Sequence, residues 1–280
     1  MSRPLARLAL IACVGLMAAT GVAAQAPVWR IHAIRYGTLP AFPVRALIAS
    51  ADSTRTLDIA MAFWLIQGPG RRQALLDAGF YRDKFIERWK PADYMRPDSA
   101  LQRFGVSPDS ITDVIVSHVH WDHMDGADLF PRARVWIQRA EYEHYVKDDG
   151  TPADRAIDSL DARMLADLNA AGRIRFVEGD AREIMPGVTA YLGGRHTYAS
   201  QYVAVRAAKG KIVLASDNVY LYENLEKDLP IAQTLDAAAN LAAQQRMRRI
   251  AGNVRRIVPG HDPAMFTRYP AVGKGAVRIE

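Results

Sequence analysis

One short segment of the sequence concentrates side chains that can hold metal ions. Residues 117–123 read Ser-His-Val-His-Trp-Asp-His and follow directly on a mostly apolar run. At the end of an extended strand, side chains two positions apart project to the same side, so His118 and His120 can share one ion. Asp122 and His123, beyond the turn, are placed to serve another. The spacing therefore predicts a pair of adjacent metal sites.

Three further candidate ligands stand at predicted strand ends later in the chain. His196 follows two glycines and an arginine, Asp217 ends a strand-like run, and His261 follows Ile-Val-Pro-Gly. Loops at strand ends present functional groups, and adjacent glycines permit turns that would strain other residues. The chain thus offers seven nitrogen and oxygen ligands. His32 and His144 fall outside this pattern and are interpreted as ordinary strand and helix-surface histidines.

The order and spacing of these ligands resemble those of metallo-β-lactamase superfamily hydrolases over roughly residues 60–265, with a close similarity at 257–261. The resemblance implies an α/β fold, a four-layer αββα sandwich, with a dinuclear site at one edge between its two sheets. It also implies that two Zn²⁺ ions per chain share the ligands, although other divalent metals fit nitrogen and oxygen donors. The implied ligands are His118, His120 and His196 for the first ion, Asp122, His123 and His261 for the second, and Asp217 as the bridge.

Two aromatic residues favour one branch of that superfamily. Tyr220 lies three positions after Asp217, a spacing similar to that of the N-acyl homoserine lactonases, and residues 138–142 add a weaker similarity. In that branch a tyrosine at this place hydrogen-bonds the lactone carbonyl or its developing oxyanion, and Trp121 would line the substrate pocket. The chain departs from the branch after His196, where the usual Pro-Gly turn and second histidine are missing.

The resemblance implies that a hydroxide bridging the two metal ions opens an acyl lactone ring. Tyr220 would stabilise the oxyanion, and Asp122 would pass a proton to the departing alkoxide. Two other hydrolases stay open: a β-lactamase with only His and Asp ligands, and a thioester hydrolase of the glyoxalase II kind. A bridging Asp217 argues against the β-lactamase, because zinc β-lactamases generally lack a bridging carboxylate. The lack of a basic cluster that clearly marks a glutathione site argues against the thioester hydrolase. A metal-binding interaction protein without turnover is a further alternative.

The first residues have the features of an export signal. Basic residues precede the mostly apolar residues 8–19, and the small residues 22–24 offer a cleavage site before Gln25. Residues 1–24 are therefore predicted to be a signal peptide, and residues 25–280 a single hydrolase domain in the periplasm or outside the cell. An uncleaved anchor is the alternative, although the apolar stretch is short for a membrane span.

The composition limits which metal ligands and which binding partners the chain can have. The one cysteine, Cys13, lies inside the predicted signal, so the mature chain has neither a disulfide nor a thiolate ligand. Removal of Arg3 and Arg7 with that signal lowers the formal net charge from +6 to +4. The basic residues are scattered and form no stripe interleaved with aromatic residues, which argues against nucleic-acid binding. The expected partner is a small-molecule substrate, with no stable membrane insertion after cleavage.

Hydrophobic periodicity predicts alternating strands and helices without repeats or linkers. Strands are predicted at 28–36, 56–67, 73–77, 111–116, 135–137, 173–177, 188–192, 198–206 and 211–215, and helices at 139–146, 153–171 and 231–250. The Gly-Pro-Gly of residues 68–70 predicts a hairpin between the second and third strands. Two strand-rich halves that each close with a helix fit two facing sheets with helices outside.

Overall fold

The computed structural model describes residues 27–280. The predicted signal peptide, with Cys13, lies outside the described residues. Within the described part of the chain, no helix combines the length and the apolar character that a membrane span requires.

The strands and helices alternate along the chain. The strands are β1 (Arg30–Pro43), β2 (Thr56–Gln67), β3 (Gln73–Leu76), β4 (Asp113–Ile115), β5 (Arg134–Gln138), β6 (Ile174–Val177), β7 (Arg182–Met185), β8 (Val188–Leu192), β9 (Gln201–Ala207), β10 (Gly210–Ser216), β11 (Ile257–Pro259), β12 (Ala271–Gly273) and β13 (Ala276–Arg278). The helices are α1 (Asp83–Trp89), α2 (Pro97–Arg103), α3 (Trp121–Met124), α4 (Arg139–Tyr145), α5 (Ser159–Ala170), α6 (Tyr222–Glu226), α7 (Ala237–Ala251) and α8 (Met265–Arg268).

The strands form two sheets. The larger has eight strands in the order β12-β13-β1-β2-β3-β4-β5-β6, and the smaller has five in the order β11-β10-β9-β8-β7. Strand β2 pairs antiparallel with β3, as the predicted hairpin requires, and β3 to β6 run parallel to one another. In the smaller sheet, β8 and β10 are both antiparallel to β9, and β11 is parallel to β10. The carboxyl ends of β8, β10 and β11 therefore meet at one edge.

Strand β2 shows why the sheets stack. Its residues are buried on both faces: Phe63 and Leu65 point to one side, and Trp64 and Ile66 to the other. The first side packs against helices α1, α2 and α5, and the second side packs against the smaller sheet. A continuous apolar run is typical of a strand covered on both faces.

The outer face of the smaller sheet is covered by helix α7. Val213 and Ala215 of β10 pack there against Ala243 and Met247 of the helix. The layers therefore follow the order helix, sheet, sheet, helix. The expected αββα sandwich is confirmed.

Two long helices begin later than periodicity predicts. Helix α5 was predicted from residue 153 and α7 from residue 231, yet each starts directly after an aspartate. The carboxylates of Asp158 and Asp236 accept a backbone N–H from the first turn of their helices. Such a cap satisfies a donor that the helix leaves unpaired, so it sets the start.

Several short elements are missing from the prediction. Helices α1 and α2 have seven residues each and start without a side-chain cap, so neither has a strong sequence signal. Strands β7, β12 and β13 were also not predicted. Strand β13 pairs with β1, so the end of the chain returns to the first sheet. The hydrophobic pattern did not indicate this pairing.

Candidate metal centre

The seven predicted ligands converge at one edge of the two sheets, on segments that follow strands β4, β8, β10 and β11. Helix α3, which begins at Trp121, adds a short turn that places the last two residues of the first motif beside the others. The structure brings all seven together in two sets: His118, His120, His196 and Asp217, and next to these Asp122, His123 and His261.

Three imidazoles of the first set surround one point. His118 Nε2 lies 3.0 Å from His120 Nδ1 and 3.1 Å from His196 Nε2, and His120 Nδ1 lies 2.9 Å from His196 Nε2. The three rings are nearly perpendicular in pairs, so the nitrogens point inward. Tetrahedral zinc with Zn–N bonds of ~2.0–2.1 Å would place its ligands roughly 3.3 Å apart. The spacing fits one such ion.

The second set combines two imidazoles with a carboxylate. Asp122 Oδ2 lies 3.5 Å from His123 Nε2 and 3.6 Å from His261 Nε2. Asp217 faces both sets with different oxygens. Its Oδ1 lies 3.2 Å from His123 Nε2 and 3.0 Å from His261 Nε2. Its Oδ2 lies 3.4 Å from His196 Nε2. A carboxylate in this position can bridge two cations.

Two buried polar atoms test whether this arrangement suits metal ions. Among the described residues, His123 Nε2 and Asp217 Oδ1 are fully buried and make no hydrogen bond of good geometry, although they lie within 3.2 Å of each other and Asp217 Oδ1 lies 3.0 Å from His261 Nε2. Buried nitrogen and oxygen atoms without partners cost free energy, and proteins rarely leave them so. Both atoms point into the second set. Divalent cations would satisfy them, and the nitrogen and oxygen donors suit zinc.

The outward nitrogens of the histidines are held by hydrogen bonds. His196 Nδ1 donates to the carbonyl of Gln233 at 2.7 Å, and His261 Nδ1 donates to the carbonyl of Ala60 at 3.0 Å. Such bonds fix the tautomer and the ring orientation of a metal ligand. His120 differs from the other histidines because its Nδ1 points into the cluster. The sequence did not indicate which ring nitrogen each histidine would use.

Asp77 is a functional residue that sequence reasoning missed. It directly follows strand β3, with a left-handed φ of 61°, and is fully buried. Its Oδ2 accepts hydrogen bonds from His123 Nδ1 and from Ser216 Oγ, both at 2.8 Å. Ser216 Oγ lies 2.9 Å from Ser117 Oγ, which in turn lies 2.9 Å from His118 Nδ1. One carboxylate therefore orients a histidine of each set.

The electrostatics of the two sets differ. Burial and the neighbouring histidines lower the pKa of His118 well below its usual range, and burial lowers the pKa of His120 to about 3. Burial also lowers the pKa of His196. In the second set, burial opposes the charged form, but the neighbouring carboxylates, Asp217 and Asp122 foremost, together outweigh it and raise the pKa values of His123 and His261. Neutral imidazoles thus characterise the first set only.

A cavity of about 150 Å³ opens onto the metal centre. Tyr220 and Trp121 line it, together with Phe42 and Trp89. The Trp121 indole stacks on Trp89 with ring centroids 5.3 Å apart and an interplanar angle of 8°. Trp121 is thus part of an aromatic wall along the cavity.

Tyr220 lies between the two sets of ligands. It is buried, with ring centroids 5.6 Å from His196 and 6.0 Å from His261. Its ring packs in the core on the helix side of the larger sheet, whereas Tyr222 packs in the core between the sheets. The two tyrosines therefore do not form one packing cluster. Burial and the nearby carboxylates raise the pKa of Tyr220 well above its usual range, which keeps the hydroxyl protonated.

The remaining histidines lie apart from the centre. His32 lies in strand β1 with its ring centroid 5.0 Å from that of Phe104. His144 is exposed on helix α4 and stacks on Tyr198 with ring centroids 4.0 Å apart. Neither belongs to the two candidate metal sets.

Comparison with known proteins agrees with this geometry. The sequence profile of the metallo-beta-lactamase superfamily matches residues 62–261. A curated N-acyl homoserine lactonase from a Bacillus species is 29% identical over 194 residues, which cover 68% of this chain and 72% of that protein.

Solved structures share the fold. A mutant of AiiA from B. thuringiensis, with N-decanoyl-L-homoserine at its active site, has a TM-score of 0.71 at 21% identity, covering 88% of this chain and 98% of that one. AidC, a dizinc quorum-quenching lactonase in complex with a product, has a TM-score of 0.64 at 15% identity, covering 85% and 89%. The predicted family is confirmed: the chain belongs to the metallo-β-lactamase superfamily and is a metal-dependent hydrolase related to the N-acyl homoserine lactonases.

Proposed function

We propose that this protein hydrolyses the ring of N-acyl homoserine lactones with two Zn²⁺ ions per chain. The observation that carries the proposal is the position of Tyr220, which lines the cavity between a histidine of the first set and a histidine of the second. The curated relative is named for the same activity. Asp217 supports the number of ions, because its two oxygens face different ligand sets.

Two side chains that line the cavity, Tyr220 and Asp122, can be assigned roles in the reaction. When bound, a pair of divalent cations supplies Lewis-acid chemistry, since it lowers the pKa of water and polarises a carbonyl group. The Tyr220 hydroxyl oxygen lies 3.4 Å from His196 Nδ1. That nitrogen donates its hydrogen to the carbonyl of Gln233, so it does not accept one from Tyr220. The Tyr220 hydroxyl hydrogen is therefore free to donate to the oxyanion that develops on the lactone carbonyl. Asp122 lines the same cavity and would take a proton from the attacking water and pass it to the departing alkoxide.

The cavity fits a small reacting group that carries a longer apolar substituent. Pockets that enclose drug-sized ligands measure ~300–1,000 Å³, so this one holds only part of such a molecule. Leu39, Phe42 and Trp89 supply apolar surface beside the metal ligands. A lactone ring would occupy the cavity, and its acyl chain would extend along this apolar surface.

A substrate panel on protein of known metal content tests the proposal. We expect kcat/KM for acyl lactones to exceed that for a chromogenic cephalosporin and for an acyl thioester at least tenfold, which corresponds to about 1.4 kcal/mol in transition-state stabilisation. Comparable or faster cephalosporin hydrolysis would favour the β-lactamase alternative. A preference for the thioester would favour a glyoxalase II-like enzyme.

We also propose that the protein is exported, with residues 1–24 removed. The support is the basic start, the apolar middle and the small residues before Gln25. Sequencing the N-terminus of the native protein tests this, because an intact Met1 or Ser2 would contradict cleavage.

A further inference from the structure

Helix α4 packs beside the metal centre without contributing a ligand. It carries one fully buried carboxylate, Glu141. Two residues further on, Glu143 lies on the exposed side and pairs with Arg139 at 3.4 Å. A buried carboxylate is costly unless hydrogen bonds compensate for lost hydration. The partners of Glu141 therefore indicate what this residue does.

All three hydrogen bonds to Glu141 come from loops that carry histidines of the first set. Its Oε1 accepts from the backbone N–H of Val119 at 3.2 Å, and Val119 lies between His118 and His120. The same oxygen accepts from the hydroxyl of Thr197, the residue after His196. Its Oε2 accepts from the backbone N–H of Ala199 at 2.6 Å. One side chain thus ties together two loops that are distant in sequence.

Other residues of the helix support the second of these loops. The backbone N–H of Tyr198 donates to the hydroxyl of Tyr145 at 3.1 Å. Tyr145 lies one turn after Glu141, on the same buried face. The His144 ring stacks on the ring of Tyr198. This is the segment in which the chain lacks the Pro-Gly turn and second histidine of the related lactonases, so its conformation depends on other contacts.

We propose that Glu141 is a positioning residue that holds the three histidines of the first set in place for their ion. Without its carboxylate, the N–H groups of Val119 and Ala199 would lose their acceptor while remaining buried, and the two loops would no longer be joined. The inference rests on the metal-binding part of the proposed function and is independent of the substrate.

The test uses Glu141→Gln, with Glu143→Gln as the matched control on the exposed face of the same helix. Glutamine keeps the size of the side chain but places an NH₂ group against one of the donors. Metal-free proteins would be titrated with Zn²⁺ against a competing chelator and with Co²⁺ followed by visible absorption. Amide hydrogen exchange of Val119 and Ala199 would be measured by NMR on the same metal-free samples.

We expect Glu141→Gln to bind one of its two ions about tenfold more weakly, with a changed Co²⁺ spectrum for that ion. Exchange at Val119 and Ala199 should be at least several-fold faster, while Glu143→Gln should match the wild type. If Glu141→Gln does not fold, Thr197→Val takes its place in the test. This variant removes one hydrogen-bond donor to Glu141 and keeps the shape of the side chain. We expect it to weaken the same ion about fivefold.

The outcomes separate this inference from the proposed function. Failure of the wild type and the control to bind two ions would remove the basis of the dinuclear proposal itself. If both bind two ions, and Glu141→Gln or its substitute Thr197→Val binds them equally tightly with unchanged exchange, then the positioning role alone is wrong.

Discussion

The two halves of the metal centre use different chemistry to hold a cation. The first set presents three imidazoles whose pKa values are lowered, so they are neutral before any metal arrives. The second pairs His123 and His261 with the carboxylates of Asp122 and Asp217, which raise the pKa values of both histidines. A proton can therefore take the place of a cation in the second set but not in the first.

This difference has a consequence for metal loading. A cation that enters the first set meets free lone pairs, whereas one that enters the second must displace protons. Asp217 faces both sets, and Asp77 orients a histidine of each. We therefore expect two unequal affinities for metal within one shared frame.

The largest effect is expected from Asp217→Ala. This change removes the carboxylate that faces both sets, so bound metal should fall below two ions per chain. Lactone hydrolysis should drop about 1,000-fold or more, since several kcal/mol of charge stabilisation depend on the ion pair. Metal analysis and kcat/KM measurements check this, with Asp148→Ala on an exposed loop as the control. A fully active Asp217→Ala enzyme with unchanged metal content would refute the dinuclear centre.

The second largest effect is expected in the pH dependence of metal binding. Because the raised pKa values of His123 and His261 keep protons on the second set, a lower pH strengthens the competition with metal there. The lowered pKa values leave His118, His120 and His196 neutral over the same range. For each proton displaced, affinity should fall by up to about tenfold per pH unit as the pH drops below the raised pKa of the histidine, at one site only.

Competition titrations at several pH values would show whether the sites separate in this way. Calorimetry in buffers of different ionisation enthalpy would count the protons released by each ion. Parallel pH dependence of both affinities would show that the two sets do not differ as described.

A smaller effect is expected from Tyr220→Phe, which alters neither set directly. The ring remains between His196 and His261, and only the hydroxyl is lost. One oxyanion donor is worth up to roughly 3 kcal/mol, and adjacent cations should reduce that share, so kcat on lactones should fall about 10- to 100-fold. Metal content and Tm should stay close to wild type. Unchanged turnover, or an unfolded variant, would make Tyr220 a packing residue.

The sequence indicated which residues form the centre but not how they are held. The ligands follow strands that end at one sheet edge, and their order, together with the family resemblance, pointed to the site. Asp77 carries no such signal: it lies 40 positions before Ser117, and its role appears only when β3 and β4 pair. Glu141 lay inside a recognised similarity, but its contacts depend on loops that folding brings together.

The same distinction applies to the fold. The long, strongly apolar strand β2 was predicted at its observed bounds because burial on both faces leaves a clear pattern. The starts of α5 and α7 were misplaced because single capping aspartates, Asp158 and Asp236, outweigh periodicity. The pairing of β13 with β1 joins segments from opposite ends of the chain. The local hydrophobic pattern could not indicate it, because that pattern depends only on neighbouring residues.

Anomalous diffraction at the zinc edge from crystals of zinc-loaded protein would show whether two ions share Asp217. We expect two peaks per chain. One should lie among His118, His120 and His196, and the other among Asp122, His123 and His261, with one oxygen of Asp217 toward each. A single peak, or two peaks of which Asp217 contacts only one, would contradict a centre built from two unequal halves around a shared carboxylate.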